Sequence, residues 1–221
     1  MQQQNSVLMA YGKYTSLFNS IGMFLLTFFV ITSVSATETR KIVAFGDSLT
    51  AGYGLPQADA FPVQLERALA AKGLAIKVEN AGVSGDTTTG GLQRLDWALA
   101  NGADFVLLEL GANDALRGIE PSITRKNLDA IISKILQKNI PVFLTGMRAP
   151  PNMGPDYQQE FDQIFPDMAE KHGVAFYPFF LDGVAAMAKL NQADAIHPNS
   201  DGVAIIVEKM VPHLMSFIDQ K

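Results

Sequence analysis

The chain has 221 residues, of which 48% are hydrophobic and 18% charged, with a formal net charge of −5 and no cysteine. That balance excludes intrinsic disorder and any disulfide framework. An acidic chain without a Lys/Arg cluster speaks against a nucleic-acid binder and favours neutral or apolar substrates over polyanions.

Taken in order, the chain opens with a segment unlike the rest. Lys13 is the only charged residue before Glu38, Ile21 to Val34 is apolar or small throughout, and Val34-Ser35-Ala36 supplies small residues at the −3 and −1 positions of a cleavage site. These features describe a secretory signal peptide over residues 1–36 and a single domain over 37–221. The apolar core of about 14 residues falls short of the roughly 20 that span a bilayer. Cleavage is therefore expected over an uncleaved anchor, leaving a periplasmic or secreted protein with no stable membrane anchor. An anchored interaction protein is the reading if residues 1–36 persist.

Apolar runs and helical patterns then alternate. Ile42–Phe45 reads as a buried strand, Phe61–Lys72 as a helix stopped by Gly73, and Ile76–Glu79 as a second strand. Thr88–Leu99 is the next helix, and Phe105–Leu110, the most apolar strand of the mature chain, is expected at the centre of the sheet. Pro121–Lys138 is amphipathic with proline near its start. Pro141–Thr145 is a strand, Arg148–Pro155 a surface loop, Tyr157–Lys171 a helix and Val174–Tyr177 the fifth strand. A short helix near Val184–Leu190 and a last one from about Ser200 to Phe217 complete the chain. Five strands separated by helices predict an α/β fold, one parallel sheet between two helical layers.

Four features fall at strand ends or in the last loop: Gly46-Asp47-Ser48, Gly82, Asn113, and the pair Asp194 and His197. Each alone is an ordinary turn or helix start. Together they divide one chemistry. A serine hydroxyl is a weak nucleophile without an adjacent base. His197 suits that task if a buried carboxylate holds its other nitrogen in the right tautomer, and Asp194 is three residues earlier. The N–H groups of Ser48 and Gly82 and the Asn113 amide are candidate oxyanion donors.

The order Gly46-Asp47-Ser48-Leu49, Gly82, Gly111-x-Asn113-Asp114 and Asp194-x-x-His197-Pro198 resembles the GDSL, or SGNH, hydrolase superfamily across the mature chain. The segments 83–87 (VSGDT), 109–118 (ELGANDALRG) and 196–199 (IHPN) resemble more closely the bacterial periplasmic thioesterase I group, also described as protease I, lysophospholipase and arylesterase. The resemblance implies a flavodoxin-like three-layer α/β/α sandwich with a five-stranded sheet. It implies Ser48 as nucleophile, His197 as base, Asp194 as orienting acid, an oxyanion hole from Ser48, Gly82 and Asn113, and neither metal nor organic cofactor. The expected reaction is hydrolysis of a small acyl ester or thioester. Some members carry serine at the Gly82 position, and Ala195 stands where a glycine is often found.

Other residues are given lesser roles. Leu116, Met147, Met153 and Ile196 sit in loops facing the mouth and are weak candidates for an acyl groove. Glu109 is expected to be buried with a partner or to lie near the strand end, with structural pairing the favoured reading. Asp47 and Asp114 are expected to brace their loops, and His172 and His213 to be solvated or capping at helix ends. An acetyl esterase acting on carbohydrate and a non-catalytic lipid-binding protein remain as alternatives. Acyl chain length, leaving group and oligomeric state are not legible in the residues.

Overall fold

Strands and helices alternate along the computed structural model, which describes residues 39–221. The expected signal peptide lies outside the described residues. In chain order the elements are β1 (Arg40–Gly46), α1 (Ser48–Ala51), α2 (Phe61–Ala71), β2 (Ile76–Gly82), α3 (Thr88–Ala98), β3 (Phe105–Glu109), α4 (Ala112–Leu116), α5 (Pro121–Gln137), β4 (Val142–Thr145), α6 (Pro155–Asp162), α7 (Ile164–His172), β5 (Ala175–Tyr177) and α8 (Ser200–Asp219). The strands form one parallel sheet in the order β2-β1-β3-β4-β5. This is the flavodoxin-like order, whose direction reverses between β1 and β3, where such sheets open a crevice at their carboxyl ends.

The core is built from the apolar runs. All five residues of β3 are buried, as befits the middle strand of a sheet covered on both faces. Helix α2 packs on α8, while α3 packs on α5 and α5 on α7, so helices cover the sheet as two layers. Phe217 of α8 meets the rings of Phe105 and Phe143 with centroids 5.6 Å away. The expected α/β class, five parallel strands and central β3 all hold.

The departures are local. The helix expected over Tyr157–Lys171 breaks at Gln163 into α6 and α7. Pro166 has no N–H to offer the carbonyl four residues back, at Asp162, so the ladder cannot run through. The expected helix near 184–190 is only a 3₁₀ turn over Ala188–Leu190. The segment 148–155 is not merely surface loop. It holds a 3₁₀ turn at Pro151–Met153, and Met147 and Ala149 beside it are buried. Helices α1 and α4 leave no mark in the sequence pattern, because four or five residues are too few to register a 3.6 period.

Candidate active site

The crevice is built from chain turns that leave the sheet where its order reverses. Strand β1 ends at Gly46, where a Cβ would lie 2.5 Å from Glu109 Oε2 and 2.6 Å from the Glu109 carbonyl oxygen, so no side chain fits. Asp47 then caps α1, its Oδ1 accepting from Leu49 N at 3.0 Å. Ser48 is the first residue of that helix. A first-turn N–H has no acceptor within the helix, and the Ser48 N–H makes no hydrogen bond among the described residues.

A loop far along the chain covers this turn. His197 Nε2 lies 3.0 Å from Ser48 Oγ, and His197 Nδ1 lies 2.7 Å from Asp194 Oδ2. The other carboxylate oxygen, Asp194 Oδ1, accepts from the N–H groups of Ile196 (3.1 Å) and His197 (3.0 Å). Gln192 ties the loop down by donating to the carbonyls of Tyr53 (2.8 Å) and Pro198 (2.9 Å). The Tyr53 ring lies against the imidazole, centroids 4.5 Å apart.

Asp194 is not the buried carboxylate expected. Its side chain is 37% exposed, and loop N–H groups rather than burial hold it. Desolvation pushes its carboxyl upward, but the bonds from His197 Nδ1 and the two N–H groups, with the imidazole charge, outweigh that and bring it to about 2. The turn between Asp194 and His197 places Ala195 at φ +63°, a left-handed conformation that explains why glycine suits the position.

Asn113 comes from α4, just beyond β3. Its Nδ2 donates one hydrogen to Asp47 Oδ2 at 3.1 Å, leaving the second free. Helix α4 is anchored by Asp114, which accepts from Thr88 N (2.8 Å), Thr88 Oγ1 and Thr124 Oγ1 (3.0 Å). Asp47 and Asp114 thus brace their loops as expected.

Gly82 requires correction. Its neighbour Val83 donates N–H to Gly46 O in β1 at 3.0 Å. Successive N–H groups of a strand point to opposite edges, so that of Gly82 points off the free edge of β2, where it donates to Asn80 Oδ1 at 3.0 Å. It is already partnered and faces away from β1. What Gly82 provides is room: a Cβ there would lie 2.8 Å from the Asp47 carbonyl oxygen. Three residues on, Gly85 has φ +81°, its carbonyl accepts from Arg117 Nη2 at 2.6 Å, and its N–H has no partner among the described residues.

A cavity of about 630 Å³ opens beside Ser48, Asn113 and His197. Leu116, Met147 and Ile196 line it together with Phe179 and Leu181, whereas Met153 does not. Trp97 is 78% exposed on α3, away from the cavity lining. Among the described residues no group of three or more His, Asp or Glu side chains is placed to hold a metal ion.

The model of the GDSL-like lipase/acylhydrolase family matches residues 44–205. The chain belongs to that family. Among curated GDSL relatives, the arylesterase of Vibrio mimicus is 37% identical over 194 residues, covering 86% of this chain and 97% of its own. The thioesterase 1/protease 1/lysophospholipase L1 of Escherichia coli K12 is 34% identical over 193 residues, 87% of this chain and 91% of its own. The crystal structure of AlinE4, an SGNH-hydrolase family esterase, is 45% identical with a TM-score of 0.70, covering 81% of this chain and 96% of that one.

Within this GDSL chain, sequence reasoning missed a brace below the site. Arg94 of α3 donates to Asp86 Oδ2 (2.6 Å) and to the carbonyls of Ala81 and Gly46 (both 2.8 Å), with its guanidinium over the Phe45 ring. It ties together the ends of β1 and β2. Gly85 had a visible signal, the Ser-Gly-Asp-Thr run after the second strand; Arg94 had none, being one cation on an ordinary helix. His172 is not solvated but lies 2.7 Å from Asp129 across α5 and α7. His213 is exposed as expected but lies within α8 rather than at its end, its ring edge-on to Tyr177.

Proposed function

We propose that the protein hydrolyses carboxylic esters and thioesters of acyl substrates through an acyl-Ser48 intermediate. The observation that carries this reading is the continuous contact Ser48 Oγ to His197 Nε2 to Asp194, at 3.0 Å and 2.7 Å, opening on an apolar cavity. Ser48 Oγ attacks the substrate carbonyl as His197 Nε2 takes its proton. Asp194 holds the Nδ1–H tautomer and stabilises the imidazolium. The oxyanion is met by the unpartnered Ser48 N–H and the free hydrogen of Asn113 Nδ2, with the Gly85 N–H as the second backbone donor in place of Gly82. Collapse breaks the bond to the leaving oxygen or sulfur, which takes the proton from His197. Water activated by the same imidazole then attacks the acyl-serine, releasing the acid and restoring Ser48.

Leu116, Met147, Ile196 and their neighbours on the cavity wall would take the acyl chain, because apolar side chains bind it without leaving buried polar groups unpaired. Export through cleavage of residues 1–36 belongs to the same reading, supported by Lys13, the apolar run and the Val34-Ser35-Ala36 end.

A fluorophosphonate tests the reading directly, since Ser48 Oγ would displace fluoride and retain the phosphonyl group. Peptide mass spectrometry is expected to find the label on Ser48 alone, with hydrolysis of matched oxygen and sulfur esters lost in parallel. An active preparation labelled at another residue would overturn it. Asn113→Ala removes a donor that matters only once the oxyanion forms. It is expected to lower kcat by about 10²–10³-fold with KM little changed, read from steady-state kinetics on a p-nitrophenyl acyl ester.

A further inference from the structure

Beneath the nucleophile turn lies a carboxyl group that the proposed reaction does not use. Glu109 is 0% exposed at the end of β3. Its Oε2 accepts from Thr50 Oγ1 at 2.8 Å and from Asp47 N at 3.2 Å. Its Oε1 is buried and has no hydrogen-bond partner. Glu109 thus lies at the strand end and is buried with hydrogen-bond partners, but no hydrogen bond or ion pair among the described residues places a cation on it.

The ionisable group facing Glu109 is another carboxyl, Asp47, also 0% exposed. Helix α1 adds the hydroxyl and the backbone N–H of Thr50, and β1 adds Gly46. Beyond Asp47 stand His197 and Asp86, the latter held by Arg94. Two adjacent buried carboxyls do not both ionise readily. Asp47 is the better placed to carry the charge, with donors on both oxygens, Leu49 N and Asn113 Nδ2. Glu109 has donors on one oxygen only, and an unsolvated anionic Oε1 would carry a large desolvation cost. A protonated Oε1 removes that charge and leaves Oε2 as the carbonyl-type acceptor the two bonds need.

The geometry points to Glu109 as a positioning residue: an un-ionised carboxylic acid that pins Asp47 and Thr50 on either side of Ser48 and leaves Asp47 as the anion that orients Asn113. Burial pushes Glu109 well above the usual carboxylate range and Asp47 to about 6, in the same sense. This inference rests on the acyl-serine reading, because it assigns a reason for the placement of Ser48 and Asn113.

Three variants and one spectrum test it. Glu109→Gln keeps a carbonyl acceptor for Asp47 N and Thr50 Oγ1 and is neutral at every pH. It is expected to hold kcat within about threefold of wild type, since the turn stays placed. Glu109→Leu removes the acceptor and is expected to lower kcat by about 10²-fold with KM nearly unchanged. Glu109→Asp retracts the carboxyl and is expected to fall between them. Where ionisation of Glu109 limits the alkaline side of the wild-type kcat profile, that limb is expected to be absent from Glu109→Gln.

The infrared difference spectrum of wild type minus Glu109→Gln at pH 7 reads the proton without reference to activity, even if Glu109→Leu does not fold. A protonated-carboxyl C=O stretch is expected. Carboxylate bands in its place, or a Glu109→Gln variant as slow as a folded Glu109→Leu variant, would overturn the inference. Failure of the acyl-serine reading is seen separately, as wild-type protein that turns over esters without labelling at Ser48.

Discussion

Ser48→Ala is expected to lower kcat on an acyl ester by about 10⁶-fold while leaving the fold in place. The loss is large because the hydroxyl has no substitute at the site: the acyl group would have no oxygen to transfer to, and His197 would have no proton to take. The fold survives because Ser48 contributes to its turn through backbone atoms. Gly52 N and Tyr53 N donate to its carbonyl, and Asp47 O accepts from Ala51 N. The one side-chain bond lost is that to His197 Nε2, on the order of 1 kcal/mol. Single-turnover hydrolysis and a thermal melt on the same purified variant separate the two effects. Turnover within tenfold of wild type would end the proposed mechanism.

Asp194→Asn is the sharper test of how the base is set, with an expected loss of about 10⁴-fold in kcat. Asp194 Oδ1 already accepts two loop N–H groups, so an asparagine keeps its oxygen there and presents its NH₂ to His197 Nδ1. The imidazole must then accept at Nδ1 and carry its proton at Nε2, the nitrogen that faces Ser48. A base becomes a donor, with the loop undisturbed. NMR of the imidazole nitrogens should report this exchange of tautomer, and kcat near wild type with the tautomer exchanged would refute the role. The carboxyl of Asp194 is lowered to about 2, below its ordinary 3.8. A lowered acid stabilises the folded loop above the ordinary value and loses that contribution as pH falls through about 2. Loss of activity between pH 5 and 4 is therefore not expected to come from Asp194.

What could be read in the residues was whatever repeats or punctuates. Strands such as Phe105–Leu110 declare themselves by unbroken apolar runs, and Asp194-x-x-His197-Pro198 by rare residue types at short spacing. Direction is not written that way. The N–H of Gly82 could be assigned to the oxyanion from its place at a strand end, but which edge of β2 it faces depends on strand pairing, seen only once Val83 is found bonded to Gly46. Burial fails likewise: Asp194 is exposed and Glu109 lacks a cation because of packing between segments about sixty or more residues apart. The break at Gln163 was legible in principle from Pro166, whose position fits a first turn better than a helix interior.

The contact between Ser48 and His197 joins residues 149 apart in the chain. The loop bearing His197 is seated by the residues on its carboxyl side: Ser200 donates to Asp59 and accepts from Gln64, and α8 packs along α2. A chain growing from its amino end thus carries Ser48 early and His197 nearly last. A chain that stops short of residue 197 has the Ser48 hydroxyl without the imidazole that faces it. The facing of Ser48 and His197 thus depends on how the last helix, α8, is seated on α2.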